Sequence, residues 1–453
     1  MLAIAELFDS LCGRCAFAGG DLLASWLLSA FRLFIKERGC TGHRMQSDTT
    51  IRLAAVDSNW SLVRLRSLAL FFAFLLLVAH LQRARAENHV DARYEDYKEL
   101  DGRMHVQTFA AYGEFQLNPT INVHGEVVYD ALSGATPNGG LPVEGVDRGW
   151  LTEIQPDERK AFNVAAGVAW GRNITTPQFA YSLENDYESF GYSLNHTIDF
   201  NDKNTTLAIG GAYTHDNIFA ATLSSTQHKD SGDLLIGVTQ LLGPKTYLTV
   251  NFTVGMANGF LNDPYKGIHI PYYPDPANPD PFARTQAGDN GESRPDQRTK
   301  QIGYFSLTHF FTPVNGSAEL GYRLYHDSFG ILSHTVSLNW YQKIGKYVIV
   351  SPMFRFTDQN AADFYMTQLP GDYTLNDPSD PYYAPLPEYF SSDYRLAAMQ
   401  TFTYGISATA KIKDRVSIDL AYKRYESFGT DGVTSPLLFP KANVFSVGFR
   451  IWF

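Results

Sequence analysis

The chain has 453 residues, of which 44% are hydrophobic and 14% aromatic, and its formal net charge is −10. This composition excludes a disordered or collagen-like chain, and the acidic balance, which is stronger still after residue 86, argues against nucleic-acid binding. The three cysteines are Cys12, Cys15 and Cys40, so the remaining chain suits passage through an oxidising compartment without forming disulfides.

The first predicted element is an apolar run from Ser67 to Ala79. Basic residues precede the run and Ala84-Arg85-Ala86 follows it, which is typical of a secretory signal peptide cleaved after Ala86. The alternative is a retained membrane anchor, for which the run is short. The upstream segment is too long for a leader. We therefore predict that the start codon has been assigned too early, so that residues 1–60 are an extension absent from the protein in the cell. Residues 61–86 would be the signal peptide and residues 87–453 the mature chain. On this interpretation Cys12-Gly-Arg-Cys15 is an artefact and not a redox motif.

Alternation of apolar and polar residues with a period of two predicts strands along the mature chain. In the last strand one face carries Phe445, Val447, Phe449, Ile451 and Phe453. The opposite face carries Ser446, Gly448 and Arg450. A soluble β-sandwich also alternates, but small and charged residues together on the polar face suit a wet lumen.

The connections between predicted strands alternate between short and long, which is the pattern of transmembrane barrels. Short links are expected at Leu117 to Pro119, Gly171 to Asn173, Asn201 to Asn204, Gly243 to Lys245, Pro313 to Gly316, Gly345-Lys346 and Lys413-Asp414. Long links are expected at Leu132 to Asp157, Phe260 to Lys300 and Gln359 to Asp393. With a first strand within Ala92 to Glu99, the sequence predicts an all-β, antiparallel up-and-down transmembrane barrel of about 16 strands, with 14 or 18 possible.

The C-terminal residues resemble the insertion signal of outer-membrane barrels, which the barrel-assembly machinery reads. The mature chain also resembles a bacterial outer-membrane family of unknown function. The resembling segments are Tyr129 to Pro137 (YDALSGATP), Tyr181 to Ser189 (YSLENDYES) and Asp199 to Leu207 (DFNDKNTTL). The resemblance implies a barrel in the bacterial outer membrane, in contact with lipopolysaccharide, and it implies no activity.

Three predicted strand ends share the pattern acid-Ser-Phe-Gly, beginning at Glu188, Asp327 and Glu426. A turn signature explains the pattern simply. The sharper hypothesis is an anionic outer rim that binds a divalent cation through carboxylate oxygens. Its members would be Asp130, Glu188, Asp216, Asp327, Asp358 and Glu426. No other cofactor is expected.

Charged residues on the predicted inward faces form a second candidate site. They are Arg323, Arg355, Lys423 and Arg450, with Glu319 and Asp419. Opposite charges that line a pore give ion selectivity, whereas the plainer interpretation is a network that stiffens the wall.

The sequence favours a passive pore or a membrane scaffold for a periplasmic partner, and not an enzyme. Two alternatives stay open. Tyrosine and proline at 271–276 and 380–385 could bind a glycan or fold inward as a constriction. His309 on an apolar face is the weak basis for a lipid hydrolase, since no serine motif accompanies it.

Overall fold

The computed structural model describes residues 88–142, 149–270, 284–286, 291–371, 378–379, 383–412 and 415–453. Within these residues, sixteen strands form a closed barrel in which each strand pairs with its neighbours in chain order. The prediction of an all-β antiparallel barrel of about 16 strands is confirmed. The predicted extension and signal peptide, 1–60 and 61–86, lie outside the described residues.

The strands are numbered along the chain. They are β1 His89–Glu99, β2 His105–Asn118, β3 Ile121–Pro137, β4 Leu151–Trp170, β5 Asn173–Leu183, β6 Tyr187–Phe200, β7 Thr205–Ile218, β8 Gln227–Gly243, β9 Thr246–Gly259, β10 Ile268–Ile270, β11 Arg284–Gln286, β12 Gln297–Phe311, β13 Gly316–Asp327, β14 Leu332–Ile344, β15 Val348–Gln359, β16 Met399–Ile412, β17 Val416–Gly429 and β18 Lys441–Trp452. Only β10 and β11 stand outside the barrel, as a separate two-stranded pair within the described chain.

The two faces of the wall differ as the alternation requires. One row of paired residues runs from Leu320 to Leu338 to Phe354 to Tyr404 across four strands, and each side chain is more than 40% exposed. In the neighbouring row, on the opposite face, Ser337 pairs with Arg355, and Arg355 pairs with Thr403. Because successive strand residues point to opposite faces, apolar side chains cover the outside of this wall and polar ones face the lumen.

The two ends of the barrel are unlike. One end, which we call the turn end, holds short turns such as Asn201 to Asn204. There, Asn201, Asp202 and Lys203 adopt φ angles of 50°, 53° and 67°, a left-handed conformation that Asn and Asp tolerate better than most residues. The other end carries the long connections, and we call it the loop end. Among the described residues, no helix has the length and apolar character needed to span a membrane.

The strands are longer than the sequence indicated. The first strand begins at His89 rather than Ala92, β3 runs on to Pro137, and β4 already begins at Leu151. The predicted loop from Leu132 to Asp157 is therefore too long. Gly134 lies inside β3, within the predicted loop. Its φ is +106°, and a Cβ at this position would collide with the carbonyl oxygen of Arg103. This glycine permits close approach within a strand, and does not mark a loop.

A small separate unit joins both chain ends that the structure describes. It contains residues 88–89, 115–122 and 452–453. The backbone N–H of Phe453 donates to the carbonyl of Asn88 at 3.0 Å, and the rings of Phe453 and Phe115 lie 6.0 Å apart. The terminal phenylalanine is thus held by backbone and side chain within this unit.

Candidate functional site

Three connections of the loop end meet at one point. The N–H of Gly267 donates to the carbonyl of Asn138 at 2.7 Å, and the hydroxyl of Ser392 donates to the carbonyl of Gly267 at 2.8 Å. Asn138 follows β3, Gly267 follows β9 and Ser392 follows β15, so the three loops leave the ring several strands apart. A ring of this size is about 30 Å across. These loops must therefore cross the opening to touch each other.

We call this assembly the cover. Its described residues are 138–142, 260–270, 291–296, 360–371, 383–398 and 430–440. Gly139 lies at the meeting point, with a φ of +99° and the backbone of Gly267 where a side chain would stand. A glycine is required there, because any Cβ would separate the two loops.

The cover also contacts the shorter connections around the ring. Arg103 donates to the carbonyls of Leu437 and Leu438 at 3.0 and 2.9 Å. The hydroxyl of Tyr265 donates to Asp186, and the hydroxyl of Thr222 donates to the carbonyl of Pro264 at 2.9 Å. The rings of Phe329 and Phe364 lie 5.0 Å apart. Each of the eight connections at the loop end thus joins the cover or touches it. The cover is anchored on every side.

Two small apolar cores hold the cover together. One contains Phe329, Ile331, Ala362, Phe364 and Leu396. The other contains Ile268, Ile270, Leu369 and Phe390. Their burial gives the loops a folded core of their own, because each large apolar side chain removed from water stabilises by about 1.5–3 kcal/mol.

A buried network of ion pairs links the same loops. Arg294 contacts Glu292 at 2.8 Å and Asp393 at 2.9 Å. Arg395 pairs with Asp393 and with Asp263. Loop 260–296 is thereby bound to loop 360–398. Glu292 and Asp393 are almost fully buried, whereas Arg395 and Asp263 keep partial contact with water.

Burial and charge act in opposite directions within this network. Burial raises the pKa of Asp393, but the guanidinium groups of Arg395 and Arg294 outweigh it and hold the pKa below its usual range. Burial keeps the pKa of Glu292 raised despite Arg294. Burial also lowers the pKa of Lys266, whose ammonium donates to Thr136 and Pro137. Removing one partner of such a buried pair typically costs about 3–5 kcal/mol.

A cavity of about 240 Å³ lies inside the cover. Its walls include Lys266, Ser392, Asp393, Tyr394 and Leu438. Ligand pockets usually measure about 300–1,000 Å³, so this cavity is smaller than a typical solute site.

The six predicted pore-lining residues all fall on the inward face. In the pairing register they lie on the face opposite to the one that carries the exposed apolar side chains. These residues are Glu319, Arg323, Arg355, Asp419, Lys423 and Arg450. Glu319 accepts from the hydroxyl of Tyr341 at 3.0 Å, and Arg450 donates to Asp91 at 2.6 Å. That they line a conducting path stays a prediction.

The six predicted rim acids divide between the two faces. Asp130, Asp216 and Asp327 point inward, are almost fully buried and pair with Arg159, Lys229 and Arg298 respectively. Glu188, Asp358 and Glu426 share the outward face with the apolar side chains and bond to Tyr181, Gln400 and Arg424 respectively. A shared cation site among them stays a prediction.

A different trio of carboxylates comes together in the described chain. Asp157, Glu184 and Asp186 have oxygen atoms within 4.8 Å of one another. Burial raises the pKa of Glu184 to about 7; Arg159 opposes this shift, and the charges of Asp157 and Asp186 add to it. Glu184 and Asp186 belong to a segment that carried the family resemblance, but nothing in the sequence indicated that Asp157 would join them.

The remaining predicted features are placed as follows. Residues 271–276 and 380–382 lie outside the described residues, and 383–385 belong to the cover. His309 bonds to Thr246 Oγ1 at 2.7 Å and its ring lies 4.5 Å from that of Phe311. Phe445, Val447, Phe449 and Ile451 alternate on the outward face of β18. The charged residues of the cover were not predicted, because charges in long loops usually indicate a solvated surface.

Solved barrel structures are similar to this chain only distantly. The siderophore receptor PirA from Pseudomonas aeruginosa has 12% identity and a TM-score of 0.38, over 76% of this chain and 57% of the receptor. CdiB from Acinetobacter baumannii has 8% identity and a TM-score of 0.44, over 81% and 61%. OccK2 (OpdF) from P. aeruginosa has 8% identity and a TM-score of 0.36, over 80% and 97%. The chain thus spans little more than half the length of PirA.

No curated protein matches the chain. A family model described as "Protein of unknown function (DUF3570)" matches residues 67–225 and 219–437. Together these ranges include most of the barrel, and they bear out the resemblance noted in the sequence. The chain belongs to this family of unknown function.

Proposed function

We propose that the protein is an outer-membrane channel whose outer mouth is closed by a cover made from its own loops. The contact of the cover with all eight loop-end connections carries this proposal. A wall that is apolar outside and charged inside supports a water-filled lumen. Charges such as Arg323 and Glu319 on the inward face are consistent with a lumen that contains water.

The proposed orientation places the short turns in the periplasm and the cover outside the cell, as in other outer-membrane barrels. In this position the outward face contacts lipid and lipopolysaccharide, and the terminal segment of β18 contacts the barrel-assembly machinery during insertion. The outer membrane as the site of residence, and a signal peptide at 61–86, belong to the same proposal.

The ion pairs around Asp393 act as a latch in this proposal. Asp393 is paired with Arg294 on one side and with Arg395 on the other, so it connects the two longest loops. Solute passage requires these loops to separate. Weakening the latch should therefore increase the open population without altering the wall.

The experiment compares single-channel conductance of wild type, Asp393→Asn and Asp216→Asn in planar bilayers. Asp216 is a matched control, because it too is a buried acid paired with a cation, but it lies in the wall. Asp393→Asn should open the channel more often, while Asp216→Asn should behave as wild type. Equal conductance in all three folded proteins would contradict a closed outer mouth.

The scaffold for a periplasmic partner is retained as the second candidate function. The absence of conductance in every variant, with folded barrel verified by heat-modifiable migration, would favour the scaffold over the channel. We propose no enzymatic role, and His309, the single candidate for one, has Thr246 as its hydrogen-bond partner.

A further inference from the structure

Four neighbouring turns form a continuous arc at the turn end. They are the turns between β8 and β9, β12 and β13, β14 and β15, and β16 and β17. Backbone hydrogen bonds connect them in sequence: Phe310 to Lys245 at 2.9 Å, Lys343 to Asn315 at 3.3 Å and Lys411 to Tyr347 at 2.8 Å. We call this half of the rim the basic arc.

The basic arc is strongly cationic. The exposed cations of its described turns are Lys245, Lys346 and Arg415, whereas Lys343 and Lys411 have the inward register of β14 and β16. No acid occurs among the described residues of these four turns. The other two residues of the last turn, Lys413 and Asp414, lie outside the described residues, and their formal charges are opposite.

The described turns on the other side of the same rim do not share this imbalance. On the other side of the ring, the turns between β4 and β5 and between β6 and β7 carry Arg172, Asp202 and Lys203. At the loop end, the outward cation Arg424 lies 3.0 Å from Glu426. A chain with a net charge of −10 has thus concentrated positive charge on one half of one rim.

The height of the arc places its charges beside lipid headgroups. The last outward apolar side chains before the turns are Phe311, Ile344 and Ile412, each at least 40% exposed. Lys346 and Arg415 follow two and three residues later, at most about 7–10 Å further along the chain. The headgroup layer is about 5–8 Å thick on each side of the hydrocarbon, so these cations reach it.

We infer that the basic arc is a binding surface for anionic phospholipid headgroups, of the phosphatidylglycerol class, in the leaflet next to the turns. Each lysine or arginine at a membrane surface strengthens the attraction of anionic lipid by about five-fold. The ammonium of Lys346 also lies over the ring of Tyr347, 5.4 Å from its centre, and an aromatic ring beside a cation is a common interfacial anchor.

An acidic soluble partner fits the same charge less well. The arc is bordered by exposed apolar side chains that lipid must cover, and Val314 and Tyr347 in the turns themselves are more than half exposed. Charge directly adjoining a lipid-covered band favours the lipid headgroup as occupant. The inference rests on the proposed insertion in a membrane but not on the channel being gated.

Two tryptophans provide reporters on opposite sides of the ring. Trp340 lies on β14 within the basic arc, with its ring 5.7 Å from Phe311. Trp170 ends β4 on the other side and is 55% exposed. The experiment uses two single-tryptophan proteins. One keeps Trp340 and the other keeps Trp170, and the other tryptophans are replaced by phenylalanine. Each is placed in phosphatidylcholine vesicles with a minor fraction of brominated phosphatidylglycerol.

Quenching by the brominated anionic lipid, relative to brominated phosphatidylcholine, should be stronger for Trp340 than for Trp170. Lys245→Gln with Lys346→Gln should reduce the preference at Trp340 by about five-fold for each charge removed. Arg172→Gln with Lys203→Gln removes as much charge from the other side and should leave it unchanged. Equal relative quenching at the two tryptophans would overturn the inference, as would an unaltered Trp340 preference in the arc variant. Because this experiment measures quenching and not conductance, its result does not depend on whether the protein is a channel.

Discussion

At the scale of single residues, two acids of the loop end show how surroundings decide protonation. Arginines around Asp393 hold its pKa below the usual range although burial opposes them. At Glu184 burial prevails over the opposing charge of Arg159, two neighbouring carboxylates reinforce it, and the pKa rises to about 7. Asp393 therefore stabilises the fold above pH 3.8 and loses that contribution as the pH falls through its lower folded-state value.

Glu184 should show the opposite pH dependence. Its pKa is about 7 in the folded protein against 4.5 as the reference, so protonation favours the fold. The contribution is complete below pH 4.5 and is lost as the pH rises through 7. At pH 8 Glu184→Gln should therefore be more stable than wild type, by at most about 3 kcal/mol, and at pH 4 it should show no gain. Urea unfolding in lipid vesicles at both pH values measures this.

The control for that comparison is Asp202→Asn, which removes an acid from an exposed turn at the other end of the barrel. A gain for Glu184→Gln that was equal at pH 4 and pH 8 would mean that the carboxylate is not the cause.

At the scale of elements, adjacent residues of one strand meet different solvents. Leu420 is 48% exposed on the outward face of β17, and its neighbour Ala421 has the register of the inward face. The same alternation was visible in the sequence, because side chains of a strand alternate whatever the rest of the fold does.

Leu420→Arg should therefore destabilise the barrel more than Ala421→Arg. An arginine facing lipid near the middle of the bilayer costs about 2–4 kcal/mol, whereas one in the lumen meets water. Unfolding free energies of the two variants in vesicles give the comparison. Equal values would show that the two faces have been assigned wrongly.

The last strand carries a second prediction at this scale. Phe453 contacts Asn88 and Phe115 in the small unit that contains both ends of the described chain. Deletion of Phe453 should lower the yield of heat-modifiable barrel in the outer membrane, because it removes both these contacts and the aromatic end of the insertion signal. Phe445→Leu keeps an apolar outward side chain and serves as the control. An unchanged yield after deletion would argue against the signal.

At the scale of the whole molecule, the sequence predicted the wall better than the cover. Strand faces follow from local alternation, and the strand number follows from the spacing of turns. The pair between Asp263 and Arg395 joins residues far apart in the chain, and no local pattern encodes it. The loop after β3 is shorter than predicted, because Gly134 lies within the strand, where the backbone of Arg103 approaches it closely, and the strand continues to Pro137.

Ion selectivity tests the lumen as a unit. Arg323 and Arg355 share the inward face, where a low-dielectric wall concentrates their field. Replacing both by glutamine in the Asp393→Asn background should shift the reversal potential across a salt gradient toward cations. The Lys245→Gln and Lys346→Gln pair, which removes the same charge from the rim, should shift it less. If the potential did not move, these arginines would not line the conducting path.

The central claim is that the cover closes the channel, and a reversible lock tests it most directly. His269 and Gln368 are paired by an isolated backbone bridge between the two longest loops, and the chain after Cys40 has no other cysteine. In the Asp393→Asn background, His269→Cys with Gln368→Cys should conduct poorly when oxidised and open after reduction in the same bilayer. Conductance that ignored the state of the disulfide would contradict a moving cover.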